Sequence, residues 1–278
     1  VSILSGPRGK DTLRWRFGHD FYIGASPARG VDTTTEIVFA GYGITAPEYT
    51  YDDYANLDVR GKTVLILAGE PKTDSGGTFE GRELSKYSFF GEKYGIAMRH
   101  GVRAIISVSL SVRRAGWKAA RGNFDGEEMI LTDPDRPLNA QEDTSRFASV
   151  IISDSTMRIL LRGEAHTFDE LIRADTTGKP LPTFTLRSAV RLAIKPRLTA
   201  EKRSRNIVGV IEGSDPALRN QFVAIGAHYD HVGTVNGEIY HGADDDGSGT
   251  VAVLEAARVL ARSGANKRSV LIIFHAAE

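Results

Sequence analysis

The stretch from Asn206 to Phe274 alternates strand-length apolar runs with one amphipathic segment, and no other feature constrains the fold as tightly. Asn206–Ile211, Phe222–Ala227 and Ser269–Phe274 are apolar, rich in β-branched residues and of strand length. Between the second and third, Thr250–Arg262 repeats Ala, Leu and Val at the spacing of one helical face, and Gly264 is placed to end it. A strand, loop, helix and strand in this order needs a crossover, which predicts a parallel or mixed sheet covered by helices. The loop after Phe222–Ala227 then lies at the carboxyl end of a strand, where open α/β sheets place their ligand sites.

A similar, less regular texture precedes it. Ile37–Ala40 reads as a strand, Gly41–Gly43 as a turn and Lys62–Ala68 as a buried strand. Glu92–His100 reads as a helix capped by Gly101, followed by an apolar strand over Val102–Val108. Val112–Asp143, rich in Arg, Gly, Asp and Pro, reads as a long surface excursion. Ala148–Ile152 is strand-like and Ser155–Leu161 helical. A polar linker with Pro180 and Pro182 then leads to a strand at Ala189–Ile194. The basic, polar run Pro196–Arg205 is the expected domain boundary. The expectation is an α/β chain in three parts: 1–35, a set of short strands belonging with the C-terminal domain; 36–195, a small α/β accessory domain; and 196–278.

Composition removes several kinds of chemistry. The 278 residues hold 35 Lys+Arg and 35 Asp+Glu, so no global field draws the chain to nucleic acid or an anionic membrane. There is no cysteine, which excludes disulfides, thiolate metal sites and cysteine nucleophiles and leaves His, Asp and Glu as the metal ligands. The longest apolar runs are strand-sized, too short to span a bilayer. The chain begins at Val1 without a signal peptide, as a processed protein would.

Three polar clusters punctuate the C-terminal pattern. His228-Tyr229-Asp230-His231 directly follows a strand, and alternation turns His228 and Asp230 to one face, one able to hold a metal and the other to orient it. The plain alternative is a polar strand end with surface histidines. Asp244-Asp245-Asp246 sits between small residues in Gly242–Gly249, where three like charges repel unless a cation compensates them. An Asp-rich helix start favoured by the helix dipole, with Ser248 as the cap, is the alternative there. His275-Ala276-Ala277-Glu278 follows the last strand, and a carboxylate at a chain end has no meaning by itself. Taken together, two strand ends and one loop bring His228, Asp230, Asp245 and Glu278 toward one edge of one sheet. Oxygen and imidazole ligands without sulfur suit zinc or a similar divalent ion in a hydrolytic role.

Asp244, Asp246, Ser248, Gly249 and Glu255 also fall at positions 1, 3, 5, 6 and 12 of a calcium-binding EF-hand loop. That template needs an entering helix before Asp244 and Glu255 free to turn back to the ion. The sequence offers a strand and Gly-rich loop before it, and a continuous helix through Glu255.

Three blocks resemble the co-catalytic zinc aminopeptidase family, which also includes glutamate carboxypeptidases and glutaminyl cyclases: Ala227–Gly233, Gly242–Thr250, and Arg268–Phe274 with Ala277-Glu278. The resemblance covers about residues 205–278. It implies a mixed β-sheet sandwiched by helices, of which this is the first part, in a peptidase domain that normally continues further. Residues 36–195, with Val38–Gly43 and Gly61–Val64, resemble the protease-associated (PA) domain of such enzymes. The resemblance implies that His228 binds one of two zinc ions, Asp230 orients it, Asp245 bridges both ions, and Glu278 is the general base taking a proton from the water between them. Of the family's five direct ligands, only His228 and Asp245 have counterparts here. The implied activity is therefore an aminopeptidase acting on a peptide or protein with a free terminus, exported to the periplasm or outside the cell, with residues 1–278 alone inactive. The alternative from another class is a non-catalytic, receptor-like binding protein on the same fold.

Overall fold

The computed structural model describes residues 2–7, 13–25, 30–72, 79–81, 83–108, 116–117, 147–197, 200, 203–235 and 237–276. The chain is α/β and forms two compact units, Val1–Arg197 and Leu198–Glu278.

The larger unit contains β1 (Ser2–Pro7), β2 (Leu13–Trp15), β3 (Phe21–Ala25), β4 (Val31–Ala40), β5 (Thr45–Ala46), β6 (Tyr51–Asp52), β7 (Thr63–Leu67), β8 (Ala104–Val108), β9 (Ala148–Ile152) and β10 (Thr183–Ile194). Among the described residues, eight of these form one mixed sheet in the order β2-β1-β10-β4-β7-β8-β9-β3. The pairs β4–β7, β7–β8 and β8–β9 are parallel, and the flanking pairs are antiparallel. β7, β8 and β9 are buried at every position, as mostly apolar strands covered on both faces are, with one hydroxyl residue in each, Thr63, Ser107 and Ser149. Helix α1 (Phe90–Arg99) links β7 to β8 and ends where Gly101, at φ 72°, donates its N–H to the Met98 carbonyl. Helix α2 (Asp154–Leu160) starts at Ser153, whose side chain accepts from the Thr156 amide.

Three local expectations change. Residues 2–7, expected to go with the C-terminal domain, pair antiparallel with β10, so the N-terminal strands are built into the larger unit's sheet. The polar linker contains helix α3 (Phe168–Thr176), entered through a capping box in which Thr167 and Glu170 exchange side-chain and backbone hydrogen bonds. The strand expected at Ala189–Ile194 begins earlier, at Thr183, because its first half pairs with the buried end of β4. Val112–Asp143 lies outside the described residues apart from Gly116 and Trp117.

The smaller unit is a three-stranded sheet, β11 (Ile207–Ile211), β15 (Ser269–His275) and β12 (Phe222–His228), with the hairpin β13 (Thr234–Val235) and β14 (Glu238–Ile239). The central β15 runs antiparallel to β11 and parallel to β12. Helix α4 (Ser248–Ser263) makes the crossover between the parallel pair, and Gly264 at φ 59° ends it. Ser269, buried at the start of β15, fixes the register: its hydroxyl donates to the Arg219 carbonyl at 2.6 Å and accepts from the Gly213 amide at 3.0 Å. Strand alternation places Val208, Val210, Phe222, Ala224, Leu271 and Ile273 on one face of this sheet. Val208, Val210 and Phe222 are exposed there; on the opposite face Val270 and Ile272 of the central strand are buried, while Ile207 and Val223 of its neighbours are exposed.

Candidate metal centre

The carboxyl ends of β12 and β15 adjoin, with His228 in register with His275. The Tyr229 amide donates to the His275 carbonyl at 3.0 Å, which carries the pairing one step past β12. The Tyr229 hydroxyl donates to the Arg205 carbonyl at 2.7 Å, and Asn206 Oδ1 accepts from the Ala276 amide at 3.1 Å. These bonds tie the start of β11 to the end of β15, on the approach to Glu278. Glu278 itself lies outside the described residues.

After β12 the chain returns to α4 through a wide turn over Ala243–Gly247, entered at Gly242 with φ 60°. A side chain at Gly242 would meet His231 at 2.8 Å and the Asp245 carbonyl at 2.9 Å, so the turn closes only around glycine. The three consecutive acids are separated by task. Asp244 accepts from the Ser248 hydroxyl at 3.1 Å. Asp245 extends outward to His228, its Oδ1 lying 3.0 Å from the imidazole Nε2. Asp246 turns inward, one oxygen accepting from the His228 amide at 3.3 Å and the other from the Gly249 amide at 3.2 Å. A Cβ on Gly249 would lie 2.1 Å from Asp246 Oδ1, so this inward carboxylate depends on glycine. The peptide bond between Asp245 and Asp246 is cis.

His228 is partly buried and held on several sides. Its Nδ1 lies 3.0 Å from the Asp230 carbonyl oxygen, and its own carbonyl accepts from the Thr250 hydroxyl at 2.8 Å. Both ring nitrogens therefore face oxygen acceptors. With the Nδ1 proton on the Asp230 carbonyl, the Nε2 lone pair and the Asp245 carboxylate converge, and a cation must lie between them: a second ring proton, or a metal ion. This donor pair fits zinc, which takes imidazole nitrogen and carboxylate oxygen. Among the described residues, no group of three or more His, Asp or Glu side chains is placed to share one ion.

The structure thus brings His228 and Asp245 together and sets Asp230 beside them through its main-chain carbonyl. Ser248, expected as a helix cap, is the first residue inside α4, and Asp246 does the capping by accepting the Gly249 amide. Asp246, Thr250 and Asn206 carry positioning roles that the sequence reading did not assign. Their only local signals were an Asn before a strand and a polar pair at a helix start. Glu255, the last position of the calcium-loop template, is engaged along α4 with Arg258 at 2.6 and 2.8 Å. No helix among the described residues is long and apolar enough to cross a membrane.

Comparison with known proteins gives three results. Residues 206–278 match Peptidase family M28. Leucine aminopeptidase 1 of Paracoccidioides brasiliensis strain Pb03 is 50% identical over 56 residues, 20% of this chain and 14% of that protein. The strain Pb18 protein is 49% identical over 57 residues, 20% of this chain and 15% of that protein. Among solved structures, an aminopeptidase from Aneurinibacillus sp. strain AM-1 aligns with 99% of this chain and 51% of its own, at 21% identity and a TM-score of 0.37. BSAP, a zinc aminopeptidase from Bacillus subtilis, aligns with 99% of this chain and 48% of its own, at 20% identity and a TM-score of 0.33. The match therefore spans about a seventh of the curated relatives' length and about half that of the solved structures.

Proposed function

We propose that residues 206–278 form part of the metal site of a zinc aminopeptidase, in which His228 and Asp245 are ligands. The observation that carries this is the convergence of His228 Nε2 and Asp245 Oδ1 at 3.0 Å, at a strand's carboxyl end, within the segment that matches Peptidase family M28. Asp245 would hold the metal together with His228, and the Asp230 carbonyl fixes the imidazole by accepting the hydrogen bond of its Nδ1–H. Asp246 holds the turn rigid through two amides, so that Asp245 is presented without reorganisation. Glu278 is the general base, accepting a proton from the attacking water and returning it to the leaving amine. Zinc, when bound, supplies Lewis acidity that activates the water and polarises the scissile carbonyl.

Residues 36–195 are, in this reading, a PA-like accessory domain, and the substrate is a peptide with a free terminus. Two donors hold zinc weakly, so residues 1–278 alone bind it poorly and do not turn over substrate. The test is calorimetric zinc titration of the chain, of His228→Ala and of Asp245→Asn, with an aminoacyl-anilide assay beside it. Weak binding that both substitutions abolish supports the assignment. Binding unchanged by both would sink it and favour the non-catalytic reading, and clear turnover by the unaltered chain would overturn the inactivity.

A further inference from the structure

Helix α1 carries a lysine where a charged group is hard to keep. Lys93 is fully buried in the first turn of α1, at the positive end of the helix dipole. Its Nζ lies 2.7 Å from the Tyr42 carbonyl, just past β4, and 2.7 Å from the Gly69 carbonyl, just past β7. Two acceptors match the two N–H bonds of a neutral amine, whereas an ammonium needs a third. No carboxylate lies within ion-pairing distance of Nζ among the described residues.

The charged groups facing Lys93 are Asp53 and Glu70, both buried and both employed elsewhere. Asp53 accepts from the Tyr42 and Ile44 amides at 3.0 and 3.1 Å and from the Tyr51 hydroxyl at 2.7 Å, with the phenols of Tyr42 and Tyr54 also near it. Glu70 accepts from the Ser85 amide at 3.0 Å and from the Ser85 hydroxyl. Ser85 in turn accepts from the Tyr87 amide, which fixes the turn leading into α1. That segment presents Leu84 and Phe89, both exposed.

We propose that Lys93 is a buried proton switch for the Leu84–Phe89 segment. As an amine it joins the ends of β4 and β7 and leaves Glu70 to hold Ser85. On taking a proton from solvent it requires a third acceptor, competes with Ser85 for Glu70, and loosens the segment. Burial supports the switch by pushing the lysine down to about 7, against the opposing pull of Asp53 and Glu70.

The test starts from the unaltered chain. The lysine 13Cε resonances are followed from pH 5.5 to 10.5, with hydrogen exchange at the Ser85 amide, corrected for its intrinsic rate, at pH 6.5 and 8.5. The expected result is that Lys93 titrates near neutrality, while Ser85 protection rises about tenfold between the two pH values. Glu70→Gln should move the Lys93 titration to lower pH, because the carboxylate that pulls it up is gone, and remove the change at Ser85. Lys93 titrating with the other lysines near 10, or Ser85 protection constant while Lys93 titrates, overturns the proposal.

Discussion

In the larger unit β7 is buried at every position, whereas β11 of the smaller unit, richer in Val and Ile, is exposed at all but its last residue. The same contrast holds for the helices. α1 buries Lys93, Ile96 and Ala97, while α4 buries no residue completely and leaves Val251, Leu254 and Val259 exposed. Apolar composition decides that a strand or helix forms, and a second packed layer decides whether its side chains leave water. The larger unit has layers on its central strands and can afford buried polar groups with assigned partners. The smaller unit has one helix beside its sheet, and its flanking strands keep apolar side chains exposed on both faces, Ile207 and Val223 on one and Val208, Val210 and Phe222 on the other.

The sharpest test of that contrast is a pair of truncations. Ile66→Ala in β7 should cost about 2–5 kcal/mol, because it removes fully buried methylenes and leaves a cavity. Val208→Ala in β11 should change stability by no more than about 0.5 kcal/mol. Both tryptophans, Trp15 and Trp117, lie in the larger unit, so their fluorescence in urea reports that unit, and amide exchange in β15 reports the other. Equal costs at the two positions would erase the distinction.

The next effect concerns the site rather than the core. Gly249→Ala pushes a methyl against Asp246, displacing the carboxylate that holds the His228 and Gly249 amides. Zinc affinity should fall about 10- to 100-fold, as it does when groups supporting a ligand are lost. The larger unit's urea midpoint should not move, and a shift there would mean that the change is not local. The comparison is calorimetric, against the unaltered chain.

What the sequence made legible follows the same division between local and distant causes. β7, α1, β8, α4 and β15 were readable because each carries its full pattern within its own residues. The pairing of β1 with β10 was not, since its partner lies near the other end of the unit and leaves no local mark. α3 was overlooked although Thr167 and Glu170 spell a capping box, because the neighbouring prolines and charges suggested a linker. At the site, the residue types His228 and Asp245 were readable. The inward turn of Asp246 was not, because it arises only when Gly242 and Gly249 let the loop close.

Acidity should also separate the units, since the buried titratable network is in the larger one. Lys93 is pushed down to about 7 by burial, below its unfolded value near 10.4, so the cost of burying its charge is full below pH 7 and relieved as pH rises toward 10. Asp53 is pushed up to about 6 by burial, against its hydrogen bonds and Lys93, so its contribution is present below about pH 4 and lost as pH rises through 6. The larger unit should therefore weaken from pH 4 to 6 and strengthen from pH 7 to 10. Lys93→Met should flatten the upper limb and carry the lower one to higher pH, because Asp53 loses the charge that holds it down. Tryptophan-detected urea melts across this range measure both limbs, and a steady decline above pH 7 would contradict the burial of a titrating lysine.

The smallest expected change bears on the exposed face most directly. Val210→Thr keeps the β-branched shape of β11 and adds a hydroxyl on the face that already meets water. Stability of the smaller unit should stay within about 0.5 kcal/mol. Amide exchange in β15 reads that stability. If the threonine instead destabilised β15 by a kilocalorie or more, Val210 would have to be packed in solution, and β11 would be like β7 after all.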